Sequence, residues 1–210
     1  MYTLYWAPNS AALAAQICLE ETGAAYETRS VPINEVPQKD PGYLRLNPAG
    51  KVPTLAIDGG QAIYECAAIC LLLDARHRAA KLMPEAGDPA LGPALQWLIF
   101  QTNTLQPAIL RFYYPDRHTT DAKNIQPLVA SAEAEIADHW KRIDGHLAAN
   151  GPYLAGQRFS AADAFAFMLS NWESCCPGIR ERFPSVRRLS DMVRARPSVQ
   201  RILKQNELAA

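Results

Sequence analysis

Hydrophobic and polar positions in the first third of the chain alternate between short strand-like runs and one longer helical run. Tyr2 to Trp6 is rich in residues that favour strands, and Tyr26 to Val31 predicts a second strand. Between them, Ser10 opens and Gly23 closes an alanine-rich stretch. It predicts a helix, because serine is a favoured N-cap and glycine commonly follows a helix end. Such a β-α-β unit normally has parallel strands and a right-handed crossover.

The next segment has the pattern of a hairpin. Residues 32–42 predict a polar loop interrupted by proline, and residues 43–46 predict a short helix. The run up to Ile57, the turn at 58–60 and the return at 62–64 predict a β-hairpin. A helix from Glu65 to about Arg78 completes the order βαβ-ββα, parallel in its first half and antiparallel in its second.

The second part of the chain has helical periodicity almost throughout. Apolar residues step by three and four from Ile125 to Leu147, which predicts one long amphipathic helix. Before it, residues 90–113 predict a helix that Pro107 should kink. After it, Ser160 and Asp163 resemble a capping box that opens a helix through Trp172, and residues 185–195 and 198–207 predict the last two helices.

A change of pattern separates these two parts. The segment from Lys81 to Pro93 carries three prolines and two glycines, which is typical of a connection between domains. The sequence therefore predicts an α/β domain over residues 1–80, a linker over 81–93 and an all-α domain over 94–210.

Composition narrows the classes of partner. The 210 residues carry 21 basic and 21 acidic side chains, and this zero net charge argues against a nucleic-acid binder or an anionic-membrane binder. No apolar run approaches the roughly 18–20 residues of a membrane span, and the first residues lack the basic region of a signal peptide. The five cysteines are odd in number and form no CxxC pair. Reduced thiols in a cytoplasmic protein are therefore expected, and a metal site is not.

Val52 and Pro53, at the mouth of the predicted hairpin, are the first candidate for binding chemistry. A proline cannot donate to a sheet ladder, so its position before a strand needs a reason. If the bond between them is cis, the N–H and C=O of Val52 are exposed at the sheet edge, where an extended peptide could pair with them. A trans proline that starts an edge strand is the alternative, and only about 5–6% of such bonds are cis.

Two predicted helix N-termini are the other candidates. Glu65 and Cys66 follow a strand and open a helix, whose unpaired N–H groups and positive dipole end attract a carboxylate. Glu65 could also accept from an α-ammonium, although a glutamate here commonly only stabilises its own helix. At Asn9 and Ser10, a thiolate would meet a donor and a positive dipole that lower its pKa; a plain N-cap serine is the alternative. Lys51 could pair with a distal carboxylate or be an ordinary solvated lysine.

Taken in their order along the chain, these candidate residues resemble those of a cytosolic glutathione transferase, and the resemblance covers nearly the whole chain. Asn47 to Leu55 reads NPAGKVPTL, similar to the family's N-P-x-G-x-V-P-x-L segment, and Glu65 to Ile69 reads ECAAI, similar to its E-S-x-A-I segment. Ala155 to Asp163 reads AGQRFSAAD, which is similar to the folding signature of the family's helical domain. The general pattern is nearer to the bacterial beta-type or serine-type members than to the tyrosine-type ones.

The resemblance implies a thioredoxin-like N-terminal domain, an all-α C-terminal domain and a homodimer. The implied activity is conjugation of the glutathione thiolate to small hydrophobic electrophiles. Two alternatives stay open: a non-catalytic ligand-binding or interaction protein of the same fold, and a glutathione-dependent isomerase or dehalogenase.

The resemblance also implies roles for individual residues. The backbone of Val52 would bind the cysteinyl part of glutathione, with Pro53 as the family's cis proline. Glu65 and Cys66 would hold the γ-glutamyl end. Lys51, with Lys39 in the loop as a second candidate, would reach the glycyl carboxylate. Ser10, with Asn9 as its rival, would donate to the sulfur. The implied co-substrate pocket draws on Asn103, Gln106, Arg111, Tyr113, Tyr114 and Trp172.

Two departures from the family pattern bear on the chemistry. Cys66 stands where the family usually has serine, which removes a hydroxyl donor but leaves the backbone N–H. Members with a catalytic cysteine in the first βα turn carry it where this chain reads Asn9-Ser10-Ala11-Ala12. A thiol-disulfide oxidoreductase is therefore the least favoured activity.

Overall fold

The computed structural model describes residues 1–31, 40–58 and 60–205. The chain forms two compact units, of which the first comprises Met1–Glu85 together with the last helical segment from Arg194 onward. The second unit comprises Ala86–Val193. The sequence-based division assigned everything after residue 93 to the helical domain, whereas the last helix clusters with the α/β unit.

Four strands form the sheet of the first unit: β1 Tyr2–Trp6, β2 Tyr26–Ser30, β3 Thr54–Ile57 and β4 Gln61–Tyr64. Their order is β2-β1-β3-β4, with β1 parallel to β2 and antiparallel to β3, and β3 antiparallel to β4. This is the predicted βαβ unit followed by a hairpin. Leu4 and Leu55 lie opposite each other on the central strands and are fully buried.

Among the described residues up to Arg76, three α-helices accompany the sheet: α1 Ala12–Thr22, α2 Pro41–Leu46 and α3 Cys66–Arg76. Gly23 ends α1 in the left-handed conformation, as glycine at this position predicts. Ser10 is not the N-cap of α1, however, because Ala11 holds that position and the helix begins at Ala12. Helices α1 and α3 pack on each other, and eight consecutive residues of α1, 12–19, are buried.

Six helices make up the second unit: α4 Leu91–Phe100, α5 Gln106–Tyr113, α6 Ile125–Asn150, α7 Ala161–Ser170, α8 Ile179–Arg182 and α9 Pro184–Arg194. The long helix and the capping box are confirmed: the Asp163 carboxylate accepts from the Ser160 N–H at 2.7 Å. The irregularity expected at Pro107 instead takes the form of a π-helical turn, Gln101–Leu105, and Pro107 lies in the first turn of α5. Trp140, Phe165 and Phe167 are the largest fully buried side chains of this unit.

The last helix, α10 Pro197–Gln205, packs on α1. Val199 and Ile202 are fully buried. Arg196 donates to both carboxylate oxygens of Glu21, at 2.7 and 2.6 Å, and the Ser198 hydroxyl donates to the same carboxylate. Burial alone would raise the pKa of Glu21, but the hydrogen bonds and charges of these partners outweigh it, and the pKa lies below its ordinary value. These contacts explain why the chain end joins the first unit.

None of the helices in the described part of the chain is both long and apolar enough to cross a membrane.

Candidate functional site

The register of the sheet brings three loops to one edge of the first unit. Tyr5 lies opposite Thr54, and Thr54 lies opposite Tyr64. The loop that follows β1, the turn that precedes β3 and the residue that follows β4 therefore share this edge. The sequence prediction placed its candidate residues in these same three segments.

Two helix N-termini meet at this edge. The Cys66 thiol, in the first turn of α3, donates to the carbonyl of Ala11 at the start of α1, at 3.1 Å. Because the first N–H groups of a helix have no partner within it and carry the positive end of its dipole, both helices present positive potential here. The arrangement favours an anion near the ends of β1 and β4.

The loop after β1 holds Asn9 and Ser10 in different ways. The Ser10 hydroxyl is buried; it donates to the carbonyl of Ala7 at 2.7 Å and accepts from the N–H of Ala12 at 3.2 Å. Asn9 is exposed and has a left-handed backbone with φ of 51°. Within the described part of the chain its side-chain amide has no hydrogen-bond partner, so its NH₂ can donate to a ligand.

The Val52–Pro53 bond is cis, as the resemblance implied. Three residues that sequence reasoning did not select hold the preceding residue in place. The hydroxyl of Tyr43 and the amide of Asn47 both donate to the carbonyl of Lys51, at 2.5 and 2.7 Å, and both also contact the Thr54 hydroxyl. Asn47 lies inside the NPAGKVPTL segment that carries the family resemblance, and that segment was the available signal for it.

Glu65 follows β4 with its carboxylate exposed and its backbone in the left-handed region, with φ of 69°. It is the N-cap of α3, not its first residue, and its side chain makes no capping hydrogen bond. The Lys51 ammonium is exposed beside Val52. Lys39 lies outside the described residues.

The Cys66 thiol is not available as a nucleophile. Its pKa lies well above the ordinary value of 9.0, because it interacts with the Cys70 thiol and because burial disfavours the thiolate. The five cysteines are free and buried. Cys66 therefore contributes a backbone N–H at the helix start, while its side chain joins α3 to α1.

Arg111, on α5 of the helical unit, forms an ion pair with a carboxylate of the same unit. Its guanidinium donates to the Glu135 carboxylate on α6, and His139 lies 3.3 Å from the other oxygen of that carboxylate. Burial alone would raise the pKa of Glu135, but hydrogen bonds from Arg111 and His139 lower it. Arg111 is thus half of an ion pair.

The aromatic candidates of the helical unit lie near one another. Tyr113 is 39% exposed at the end of α5, with its ring centroid 6.5 Å from that of Tyr114. The Tyr113 hydroxyl interacts with the Cys175 thiol, which also donates to the carbonyl of Trp172 at 2.9 Å. Asn103 is exposed on the π-helical turn, and Gln106 starts α5 half-buried.

Comparison with known proteins assigns both units. Residues 10–76 match the glutathione S-transferase N-terminal domain, and residues 103–206 match the glutathione S-transferase C-terminal domain. The two matches together span more than half of the chain.

Individual relatives are similar to the chain over most of its length. A glutathione S-transferase of Xanthomonas campestris pv. campestris is 28% identical over 80% of this chain and 81% of its own. The disulfide-bond oxidoreductase YfcG of Escherichia coli is 26% identical over 99% of this chain and 97% of its own. The crystal structure of a glutathione transferase homologue from Sulfitobacter with bound glutathione superposes with a TM-score of 0.89, at 25% identity over 98% of both chains.

Proposed function

The chain belongs to the glutathione S-transferase family, and we propose that it binds glutathione and transfers it to small hydrophobic electrophiles. The observation that carries the proposal is the meeting of two helix N-termini at the sheet edge that also presents Val52. An extended peptide with a carboxylate at its head and a thiol in its middle has the chemistry that such an edge accepts.

In the proposed complex, glutathione lies extended along this edge. The backbone N–H and C=O of Val52 pair with its cysteinyl residue, as an added strand would. The α-carboxylate of the γ-glutamyl end accepts from the first N–H groups of α3, at Cys66, and its ammonium donates to Glu65. Lys51 is proposed to reach the glycyl carboxylate, and Lys39 is a second candidate for that role.

We propose that Asn9 is the donor to the sulfur, with Ser10 in a supporting role. The Ser10 hydroxyl already donates to Ala7, so it can reach a thiolate only by giving up that bond. The amide of Asn9 is exposed and lies at the start of the α1 dipole. A depression of the thiol pKa by one unit corresponds to about 1.36 kcal/mol, which one donor and a helix dipole together can supply.

The proposed reaction is a nucleophilic displacement or addition. The thiolate forms a C–S bond to the electrophilic carbon, and in a displacement the leaving group departs with the electron pair of the bond that breaks. The protein raises the thiolate fraction and orients it. The residues proposed to contact the electrophile are Tyr113, Tyr114, Trp172, Asn103, Gln106 and Arg111. Arg111 is a fixed cation there, because its guanidinium is paired with Glu135.

A calorimetric titration with glutathione, followed by an aryl-halide conjugation assay, tests the proposal. Glu65→Gln is expected to weaken glutathione binding by roughly tenfold, which is about 1.4 kcal/mol for one charge-assisted hydrogen bond. Asn9→Ala is expected to raise the pKa of the bound thiol by about one unit. Glu133→Gln, at an exposed carboxylate on α6, is the matched control. Absence of binding by the wild-type chain refutes the proposal.

A non-catalytic glutathione-binding protein is the second candidate. It is favoured by the engaged hydroxyl of Ser10, which leaves one donor fewer for the sulfur. The missing hydroxyl at Cys66 also leaves one donor fewer for the γ-glutamyl carboxylate. Tight glutathione binding without turnover of several electrophiles, including substrates for isomerisation and dehalogenation, would select it.

We also propose a homodimer in the cytoplasm. Leu95 and Ile99 are large apolar side chains one helical turn apart on α4, at 37% and 44% exposure, and Tyr64 on β4 is 40% exposed. Neighbouring exposed apolar side chains on one helix, such as Leu95 and Ile99, support an association surface on α4. Ile99→Glu is expected to convert the dimer to monomers in light scattering.

The proposed location in the cytoplasm rests on the cysteines. The five free, buried thiols suit a reducing compartment.

A further inference from the structure

A closed ring of hydrogen bonds lies behind the turn that presents Val52. The Asn47 amide donates to the Lys51 carbonyl at 2.7 Å and to the Thr54 hydroxyl at 3.1 Å. The Thr54 hydroxyl lies 2.9 Å from that of Tyr43, which donates to the same Lys51 carbonyl at 2.5 Å. With Thr54 as donor to Tyr43, every proton in the ring has one acceptor.

The ring is buried and keeps its protons at neutral pH. Tyr43, Asn47 and Thr54 are at most 5% exposed. Burial raises the pKa of Tyr43, so its hydroxyl stays a donor. The Asn47 side-chain oxygen also accepts from the N–H of Ala49 at 3.0 Å, which fixes the amide orientation.

The hydrogen bonds to the Lys51 carbonyl also fix the direction of the Val52 N–H, because the two groups belong to the same trans peptide. The Lys51–Val52 bond is trans, and in a trans peptide the C=O and N–H point in opposite directions. Two buried donors hold the Lys51 carbonyl towards the protein interior, so the N–H of Val52 points away from it. In the described part of the chain no acceptor takes this N–H.

We propose that Tyr43 and Asn47 are positioning residues for glutathione: they act through the Lys51 carbonyl to aim the Val52 N–H at the cysteinyl carbonyl of the ligand. The inference rests on the proposed function. It assigns the two residues an effect on ligand affinity beyond the stability that any buried hydrogen bond contributes, because a fixed donor loses less freedom on binding.

Tyr43→Phe tests the inference, because it removes the hydroxyl and keeps the ring. Tyr26→Phe is the matched control. Its hydroxyl also lies in the first unit, where it donates to Glu20 at 2.8 Å, but Tyr26 pairs with Tyr2 at the opposite end of β1. Glutathione affinity is measured by calorimetry and the free energy of unfolding by urea denaturation, for both variants and the wild type.

We expect Tyr43→Phe to weaken glutathione binding by roughly three- to tenfold, the effect of one net hydrogen bond, and Tyr26→Phe to leave it within about twofold. Stability is expected to fall in both variants. In the ligand-free protein, the amide resonance of Val52 is expected to shift in Tyr43→Phe and to stay in place in Tyr26→Phe.

Other outcomes separate the two claims. No binding by the wild type refutes the proposed function and the inference with it. Binding by the wild type with equal affinity in Tyr43→Phe, or an equal loss in Tyr26→Phe, refutes the positioning role alone. If Tyr43→Phe does not fold, Asn47→Ser carries the same expectation, because serine can keep the local turn but does not reach the Lys51 carbonyl.

Discussion

Replacing Glu21 by glutamine removes the carboxylate that joins α1 to the last helix. The Glu21 side chain is 14% exposed and Arg196 is 28% exposed, so the pair is largely shielded from water. Arg196 binds both oxygens, and the Ser198 hydroxyl binds one of them. Glutamine keeps one acceptor oxygen and loses the charge.

The expected cost follows from this geometry. Hydrogen bonds to charged groups contribute about 1.5–3 kcal/mol each, and glutamine retains part of one of them. We therefore expect Glu21→Gln to lower the free energy of unfolding by about 2 kcal/mol at pH 7. Glu133→Gln, at an exposed carboxylate on α6, is the control and should stay within about 0.5 kcal/mol of the wild type.

The effect should depend on pH with a definite sign. The pKa of Glu21 is lower in the folded protein than its ordinary value of 4.5. Its stabilisation is therefore fully present above pH 4.5 and is lost as the pH falls through the lowered folded-state value. The difference between wild type and Glu21→Gln should shrink over that acidic range.

Urea denaturation at several pH values and hydrogen exchange of the α10 amides measure these quantities. Glu21→Gln should speed exchange over 197–205 before it affects the helical unit. Stability and protection equal to those of Glu133→Gln would refute the reasoning, as would a cost that is constant between neutral and acidic pH.

Three further predictions concern other parts of the chain. Ser10→Ala should lower the free energy of unfolding by about 1–3 kcal/mol, because two buried backbone groups lose their partner; an unchanged urea midpoint would contradict this. Burial raises the pKa of Asp163 to about 6, so its stabilising contribution, present below its ordinary pKa of 3.8, is lost as the pH rises through 6. The advantage of the wild type over Asp163→Asn should therefore fall between pH 4 and 7, by up to about 3 kcal/mol, and an advantage that grows would be inconsistent with the burial. The buried thiols, Cys66 included, should resist iodoacetamide in the folded protein and react in urea, and rapid labelling of Cys66 in buffer would show that it is not held as described.

Local patterning predicted the strand and helix order of the first unit, because each element has its own period and its own end signals. Gly23, the hairpin turn and the capping box at Ser160 all belong to this kind of local signal. The common sheet edge of the candidate segments follows from the strand order β2-β1-β3-β4, in which β3 pairs with β1, and the sequence patterns did not predict that pairing. The π-helical turn before Pro107 was not predicted either, because the sequence alone does not fix where an extra residue enters a helix.

The features that the sequence did not predict depend on which partner a side chain takes, and residue type alone does not specify that partner. Ser10 has the residue type of an N-cap, and only the structure shows its hydroxyl bound to Ala7 and Ala12. Tyr43 looks like an ordinary core aromatic in a short helix, and its link to the Lys51 carbonyl spans eight residues of chain. The return of α10 to α1 depends on pairs such as Arg196 with Glu21, which are 175 residues apart.

The 175 residues of chain between Glu21 and Arg196 have a consequence for protein synthesis. The partner of Glu21 leaves the ribosome 175 residues after it, which at cellular elongation rates is an interval of roughly ten to thirty-five seconds. The helical unit is contiguous in sequence, over Ala86–Val193, and is complete before α10 emerges. The unit that begins the chain is therefore the second of the two to be completed. Until α10 emerges, the face of α1 on which α10 packs stays exposed to chaperones and to aggregation.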